Sequence, residues 1–155
     1  MESSITTVFF KNIQNPFQQL AIVLATSGFI MLIGFLIKAS GATVVSPEFP
    51  WLTSAAFILV YSVLTAVAAI SSADIESYFR KSILAFVALI IASGLLASLF
   101  SGISINSAGT YKYIYVILVI VYLALLSIGG IIKRISMAIQ REEDAYVSSQ
   151  KNNNN

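Results

Sequence analysis

The chain has 155 residues, of which 57% are hydrophobic and only 10% are charged. Soluble domains carry about 25% charged residues, so this composition argues against a water-soluble fold and favours a membrane protein. The net charge of +2 is too small to indicate nucleic-acid binding. The sequence contains neither cysteine nor histidine, which excludes disulfides, thiolate nucleophiles, thiolate or imidazole metal sites and His-ligated haem.

The first segment, residues 1–16, precedes the apolar part of the chain. Phe9, Ile13 and Phe17 recur every four residues, which predicts a helical face that lies on the membrane surface. The alternative is a frayed tail whose aromatic residues are incidental. The segment lacks the basic region and cleavage site of a signal peptide, so we expect the first span to serve as an uncleaved anchor.

Four long apolar runs make up most of the remaining chain. None contains Asp, Glu, Lys, Arg or His, and they cover residues 17–37, 51–70, 83–100 and 113–132. About 20 apolar residues in a helix cross a bilayer core of roughly 30 Å. We therefore predict an all-α, four-helix transmembrane bundle whose membrane domain covers residues 17–132.

Capping residues mark the ends of the predicted spans. Asn15 and Pro16 are typical of the start of the first helix, and Gly41 is typical of its end. Gly102 follows the end of the third span. Asp74 and Glu76 predict the cap and the acidic first turn of a helix that runs into the third span.

Aromatic and basic residues at the span edges are predicted to anchor the bundle at the membrane–water interface. These candidate anchors are Trp51, Tyr111, Tyr113, Lys133 and Arg134.

Beyond the last apolar run, residues 133–146 are predicted to continue the helix on the cytoplasmic side. Ile135 and Ile139 share one side of this extension, and basic residues surround them. Residues 147–155 are rich in serine and asparagine, and this composition is typical of a disordered tail.

Lysine and arginine are distributed unequally between the two sets of connecting segments. With four spans, seven of the nine lie on the side that holds both tails and the loop between the second and third spans. The positive-inside rule then predicts an up-down-up-down bundle with both termini cytoplasmic. The membrane would be a bacterial inner (plasma) membrane or an organellar membrane.

Small residues are concentrated on particular helix faces. Small residues four apart let helix backbones approach closely in lipid. The first interpretation is packing within the bundle, and the alternative is a face that contacts another membrane protein. The candidate packing or partner face lies on the third span and comprises Ala85, Ala88, Ala92, Ser93, Gly94, Ala97 and Ser98. Gly129 and Gly130 indicate a bend or close packing near the cytoplasmic edge, and the alternative is a gating hinge.

The polar groups considered within the spans are mild hydroxyls, and the spans contain no Asp, Glu, Lys, Arg or His. This excludes an intramembrane proton relay, an ion-pair switch and a voltage sensor. The hydroxyls are expected to bond helix carbonyls or neighbouring helices, and the alternative is a polar lining for a narrow pathway. They belong to Thr26, Ser27, Tyr61, Ser62, Thr65, Ser93, Ser98, Tyr122 and Ser127.

With no catalytic motif and no cofactor motif, the leading hypothesis is a non-catalytic accessory, assembly or scaffold subunit of a larger membrane complex. Its expected partners are the lipid bilayer and either a membrane protein or a second copy of the chain. The alternative is a homo-oligomeric channel or holin-like pore lined by hydroxyls of the first three spans. A third hypothesis, ranked last, is an enzyme or lipid carrier that acts through Asp74, Glu76 and Arg80.

Overall fold

The computed structural model describes residues 15–41, 44–72, 74–104, 106–107 and 109–153. Within these residues the chain forms four α-helices: α1 (Pro16–Ser40), α2 (Phe49–Ser71), α3 (Ile75–Ser101) and α4 (Tyr111–Asn153). Each helix is long and apolar enough to cross a membrane. The all-helical class is therefore confirmed, as is a helix of sufficient length and apolarity at each of the four predicted spans. The predicted surface helix before residue 15 lies outside the described residues.

Side-chain caps begin two of the helices. Asn15 Oδ1 accepts a hydrogen bond from the Phe17 backbone N–H at 3.2 Å, and a proline occupies the first turn of α1. Asp74 Oδ1 accepts from the Ser77 N–H at 3.3 Å at the start of α3. Both caps satisfy N–H groups that have no partner inside the helix.

Glycines in the left-handed conformation end α1 and α3. Gly41 has φ 70° and Gly102 has φ 71°, and each donates its N–H to a carbonyl of the last helical turn. Only glycine adopts this backbone conformation without steric cost. The helix ends predicted from these residues are confirmed.

Helix α2 lies at the centre of the packing and contacts α1, α3 and α4, whereas α3 and α4 make few contacts with each other. Half of the most apolar stretch of α2 is buried, compared with 22% for α1. The bundle is therefore organised around α2, and a gap opens between parts of α3 and α4.

Two adjacent glycines allow α4 to pack closely against its neighbours. A Cβ atom on Gly129 would lie 2.8 Å from the Ala66 carbonyl oxygen of α2, and one on Gly130 would lie 2.8 Å from the Phe79 ring of α3. Both distances are shorter than van der Waals contact. This geometry supports the close-packing interpretation of the pair.

Helix α4 continues well beyond the apolar run that ends at Ile132. Its 43 residues correspond to about 65 Å at 1.5 Å per residue, roughly twice the thickness of a bilayer core. Every side chain from Ala138 to Tyr146 is exposed. The composition predicts disorder from residue 147 onward, whereas the helix runs to Asn153. The disorder of residues 147–155 stays a prediction.

The outward surface of the bundle is strongly apolar. Large hydrophobic side chains are more than half exposed on all four helices, for example Phe29, Leu52, Leu95 and Ile120. A water-soluble protein rarely exposes so continuous an apolar surface. This surface is what a bundle surrounded by lipid requires, because lipid chains are the favourable environment for it.

Candidate functional site

Three aromatic rings from three different helices stack in the middle of the bundle, and we call them the aromatic core. The rings of Phe86 and Tyr122 are parallel within 7°, with centroids 3.6 Å apart. Tyr61 also stacks on Phe86, with ring centroids 6.2 Å apart. All three side chains are almost completely buried. The rings fill the interior at this level, so the described helices of a single chain enclose no open pathway there.

Hydroxyl pairs join α4 to its neighbours on either side of the aromatic core. The Ser82 and Tyr122 hydroxyls are 2.7 Å apart and connect α3 to α4. Ser54 and Tyr115 form a second hydroxyl pair, which connects α2 to α4. Hydrogen bonds between helices hold them in one register, because lipid offers these groups no alternative partner.

A third group of polar contacts lies at the end of the bundle where α1 begins. Thr65 Oγ1 donates to Gln19 Oε1 at 3.3 Å, and the Tyr78 hydroxyl donates to the Thr65 carbonyl at 3.2 Å. The Tyr61 hydroxyl reaches the Pro16 carbonyl at 3.5 Å. These contacts connect α1, α2 and α3.

Buried polar side-chain atoms of the described residues form hydrogen bonds within the chain. Among the described residues, no buried side-chain nitrogen or oxygen lacks a hydrogen-bond partner. Several hydroxyls bond their own helix: Ser62 donates to the Ile58 carbonyl at 2.8 Å, and Ser127 donates to the Leu123 carbonyl at 2.7 Å. This pattern favours the packing interpretation of the hydroxyls over a polar pathway.

The candidate partner face on α3 points mainly into the bundle. Ala85, Ser93 and Ala97 are buried, Ala92, Gly94 and Ser98 are half-buried, and only Ala88 is exposed. The chain's own helices therefore cover most of this face, so packing within the bundle occupies the residues that a partner would need.

The candidate interfacial anchors have different environments. Trp51 is 1% exposed, donates its Nε1–H to Ser101 Oγ at 3.0 Å, and therefore faces the interior rather than the membrane surface. Tyr113 is exposed, and the Lys112 Nζ lies 5.0 Å from its ring centre. Tyr111 is half-buried.

The two basic anchors also differ from each other. Lys133 is half-buried, whereas Arg134 is exposed and lines a groove between the start of α3 and the later part of α4. We call this space the α3–α4 groove. It has a volume of about 500 Å³, and the residues around it include Glu76, Phe79, Arg80, Ser127, Ile131 and Arg134.

The α3–α4 groove contains two of the three residues of the enzyme or carrier hypothesis. Glu76 and Arg80 line it, but Asp74 does not, because its carboxylate caps α3. In the part of the chain that the structure describes, no three acidic side chains are grouped closely enough to hold a metal ion. The groove therefore offers two guanidinium groups, one carboxylate and an apolar wall, which suits anion binding rather than acid–base catalysis.

Comparison with models of protein families, with curated proteins and with solved structures found no match to this chain.

Proposed function

We propose that the chain is a non-catalytic accessory or assembly subunit of a larger membrane complex, and that the extension of α4 contacts the partner. The single observation that carries this proposal is the exposure of every side chain from Ala138 to Tyr146. Isolated helices of this length are marginally stable in water and gain stability mainly from packing. A partner that packs on Ile135 and Ile139, which are 55% and 59% exposed, would supply that stability.

The closed interior of the bundle supports a role without catalysis. Aromatic rings fill the centre, and the hydroxyls around them bond other groups of the same chain. A catalytic site needs groups that are free to meet a substrate. The surfaces that remain for recognition include the outside of the bundle, the α3–α4 groove and the extension.

For the topology, we propose an up-down-up-down bundle with both termini on the cytoplasmic side of a bacterial inner membrane or an organellar membrane. The support is the excess of lysine and arginine on that side. The contact between Phe79 and Gly130 adds to it, because it brings the start of α3 close to the later part of α4.

The pore alternative receives less support from the same contacts. A homo-oligomeric pore needs a polar stripe that faces other copies. The exposed hydroxyls of Thr26 and Ser127 instead donate to carbonyls of their own helices at 2.8 Å and 2.7 Å. The side chains around them, including Ile22 and Leu123, are exposed and apolar.

Removing the extension tests the accessory role. We expect a variant that ends after Met137 to stay in the membrane but to lose polypeptides that copurify with the full chain in fixed ratio in mild detergent. Ile139→Gln should lose most of the same polypeptides, because it removes an exposed apolar contact. Gln140→Ala, a change at the neighbouring exposed residue, is the matched control and should retain them.

Two results contradict the accessory role. The first is an unchanged set of copurifying polypeptides after truncation. The second is purification of the full chain as a homo-oligomer that conducts ions in liposomes, which would support the pore instead.

A further inference from the structure

We propose that the α3–α4 groove binds one anionic phospholipid. In this proposal Arg80 and Arg134 hold the phosphate, and an acyl chain lies against Phe79 and Ile131. All four residues line the groove. The proposal assigns a ligand to this groove and does not depend on the accessory role.

The positive charge of the groove indicates that the ligand carries a phosphate. Arg80 and Arg134 approach the groove from two different helices, and neither is paired with a carboxylate within the described segments. Two guanidinium groups beside one cavity repel each other, so an anion between them is favourable. Guanidinium donates paired hydrogen bonds to phosphate oxygens with matching geometry, which makes phosphate the expected anion.

The position of the groove relative to the apolar runs indicates that the ligand also has an acyl chain. The last uncharged stretch of α4 ends at Ile132, two residues before Arg134, and that of α3 begins shortly after Lys81. On α4 the groove lining passes from Arg134, beyond the apolar run, to Ile131 within it. Its α3 lining, from Ile75 to Arg80, lies just before the apolar run of that helix. A phospholipid has the same order of head group and chain, and basic pockets between transmembrane helices commonly bind such head groups.

Glu76 narrows the choice of head group. Its carboxylate lines the same groove, so the charged residues there sum to a single positive charge. A carboxylate repels bare phosphate but accepts hydrogen bonds from hydroxyl groups. A monovalent phosphate that carries hydroxyls, as in phosphatidylglycerol, satisfies all three charged side chains.

The size and openness of the groove fit such a ligand. A volume of about 500 Å³ lies within the range of roughly 300–1,000 Å³ that is typical of small-molecule sites. Helices α3 and α4 make few contacts with each other, and Ile131 on the groove wall is 57% exposed. A lipid can therefore enter from the side, without leaving the bilayer.

Native mass spectrometry of the detergent-purified full chain, titrated with phosphatidylglycerol or phosphatidylcholine, tests the proposal. We expect one tightly bound phosphatidylglycerol and much weaker binding of phosphatidylcholine. Arg80→Gln and Arg134→Gln should each weaken phosphatidylglycerol binding about tenfold, because each removes a charged hydrogen bond. The double variant Arg80→Gln/Arg134→Gln should lose binding altogether. If that variant does not fold, Ser127→Trp provides a second test, because it fills the groove without changing its charge and should also prevent binding.

Lys133→Gln is the matched control. It removes the same charge from the residue next to Arg134, and Lys133 does not line the groove. Its effect should stay below about fivefold, as for surface charges in general. Glycerol 3-phosphate, added without lipid, distinguishes a soluble phosphate from a membrane lipid.

Several outcomes would overturn the proposal. They are an equal loss of binding in Lys133→Gln and the arginine variants, full binding in the double arginine variant, and equal binding of phosphatidylcholine. Glycerol 3-phosphate that binds as tightly as the lipid would show a soluble ligand. A polypeptide retained through the same arginines in place of lipid would show a protein partner.

Discussion

Replacing Tyr122 with alanine is expected to lower the free energy of unfolding by about 3 kcal/mol, the usual cost of removing a large buried aromatic ring. The Tyr122 ring stacks on Phe86 with centroids 3.6 Å apart, and its hydroxyl bonds Ser82 across two helices. In lipid the cost arises from lost packing and from the cavity, since lipid itself is apolar. Unfolding in mixed micelles of mild detergent and dodecyl sulfate measures it.

Two further variants separate the contributions of the ring and the hydroxyl. Tyr122→Phe keeps the stack and leaves Ser82 without this partner, so it should cost about 0.6–1.7 kcal/mol, the range for interhelical hydrogen bonds in membranes. Ile117→Ala, at a residue of the same helix that is 56% exposed, should change stability by about 0.5 kcal/mol or less. If Tyr122→Ala costs no more than Ile117→Ala, the aromatic core does not hold the bundle together.

Gly129→Ala is the second substitution with a large expected effect. The new Cβ would lie 2.8 Å from the Ala66 carbonyl oxygen, which belongs to a helix backbone and cannot rotate away. We expect α4 to move away from α2, at a cost of about 1–3 kcal/mol. The same micelle unfolding measurement detects the loss, and the melting temperature should fall with it.

Gly28→Ala is the control for helix propensity. The nearest atom to a Cβ at Gly28 is Leu96 Cδ1 at 4.0 Å, an ordinary contact. Alanine should therefore leave stability unchanged or raise it by up to about 1 kcal/mol, because alanine favours helix over glycine. Equal destabilisation by Gly28→Ala and Gly129→Ala would contradict the close contact between α2 and α4.

The helices and their ends could be predicted from sequence because their signals are local. Runs without charge predicted the spans, and Asn15, Asp74, Gly41 and Gly102 predicted ends that the structure confirms. Each of these residues acts on the backbone within a few positions of itself. Their effect therefore does not depend on how the helices pack.

The rotation of each helix could not be predicted in the same way. A soluble helix reveals its buried face by alternating apolar and polar residues, but these spans are apolar on every side. Trp51 is an example. Its position at the start of a span predicts an anchor at the membrane interface, whereas its indole points inward to Ser101. The hydroxyl pairs of Ser54 with Tyr115 and of Ser82 with Tyr122 likewise depend on rotation.

The sequence predicts only part of the candidate site, because the rest also depends on how the helices pack. Glu76 and Arg80 are four residues apart, so a helix places them side by side on one face. Arg134 lies more than fifty residues later, and only the packing of α4 beside α3 brings it to the same groove. In the sequence, the position of Arg134 after a span predicts a membrane anchor. That position does not indicate which residues of another helix lie beside it.

Cysteine accessibility tests most directly whether lipid surrounds these helices. The chain has no cysteine, so Leu95→Cys, Asn106→Cys and Gln140→Cys each carry a single thiol at an exposed position. With a membrane-impermeant maleimide, Asn106→Cys and Gln140→Cys should each react from one side of a sealed membrane, and from opposite sides. Leu95→Cys should react only after denaturation, although its side chain is 62% exposed in the bundle. Reaction of Leu95→Cys in intact membranes as fast as Asn106→Cys would contradict a lipid-embedded bundle.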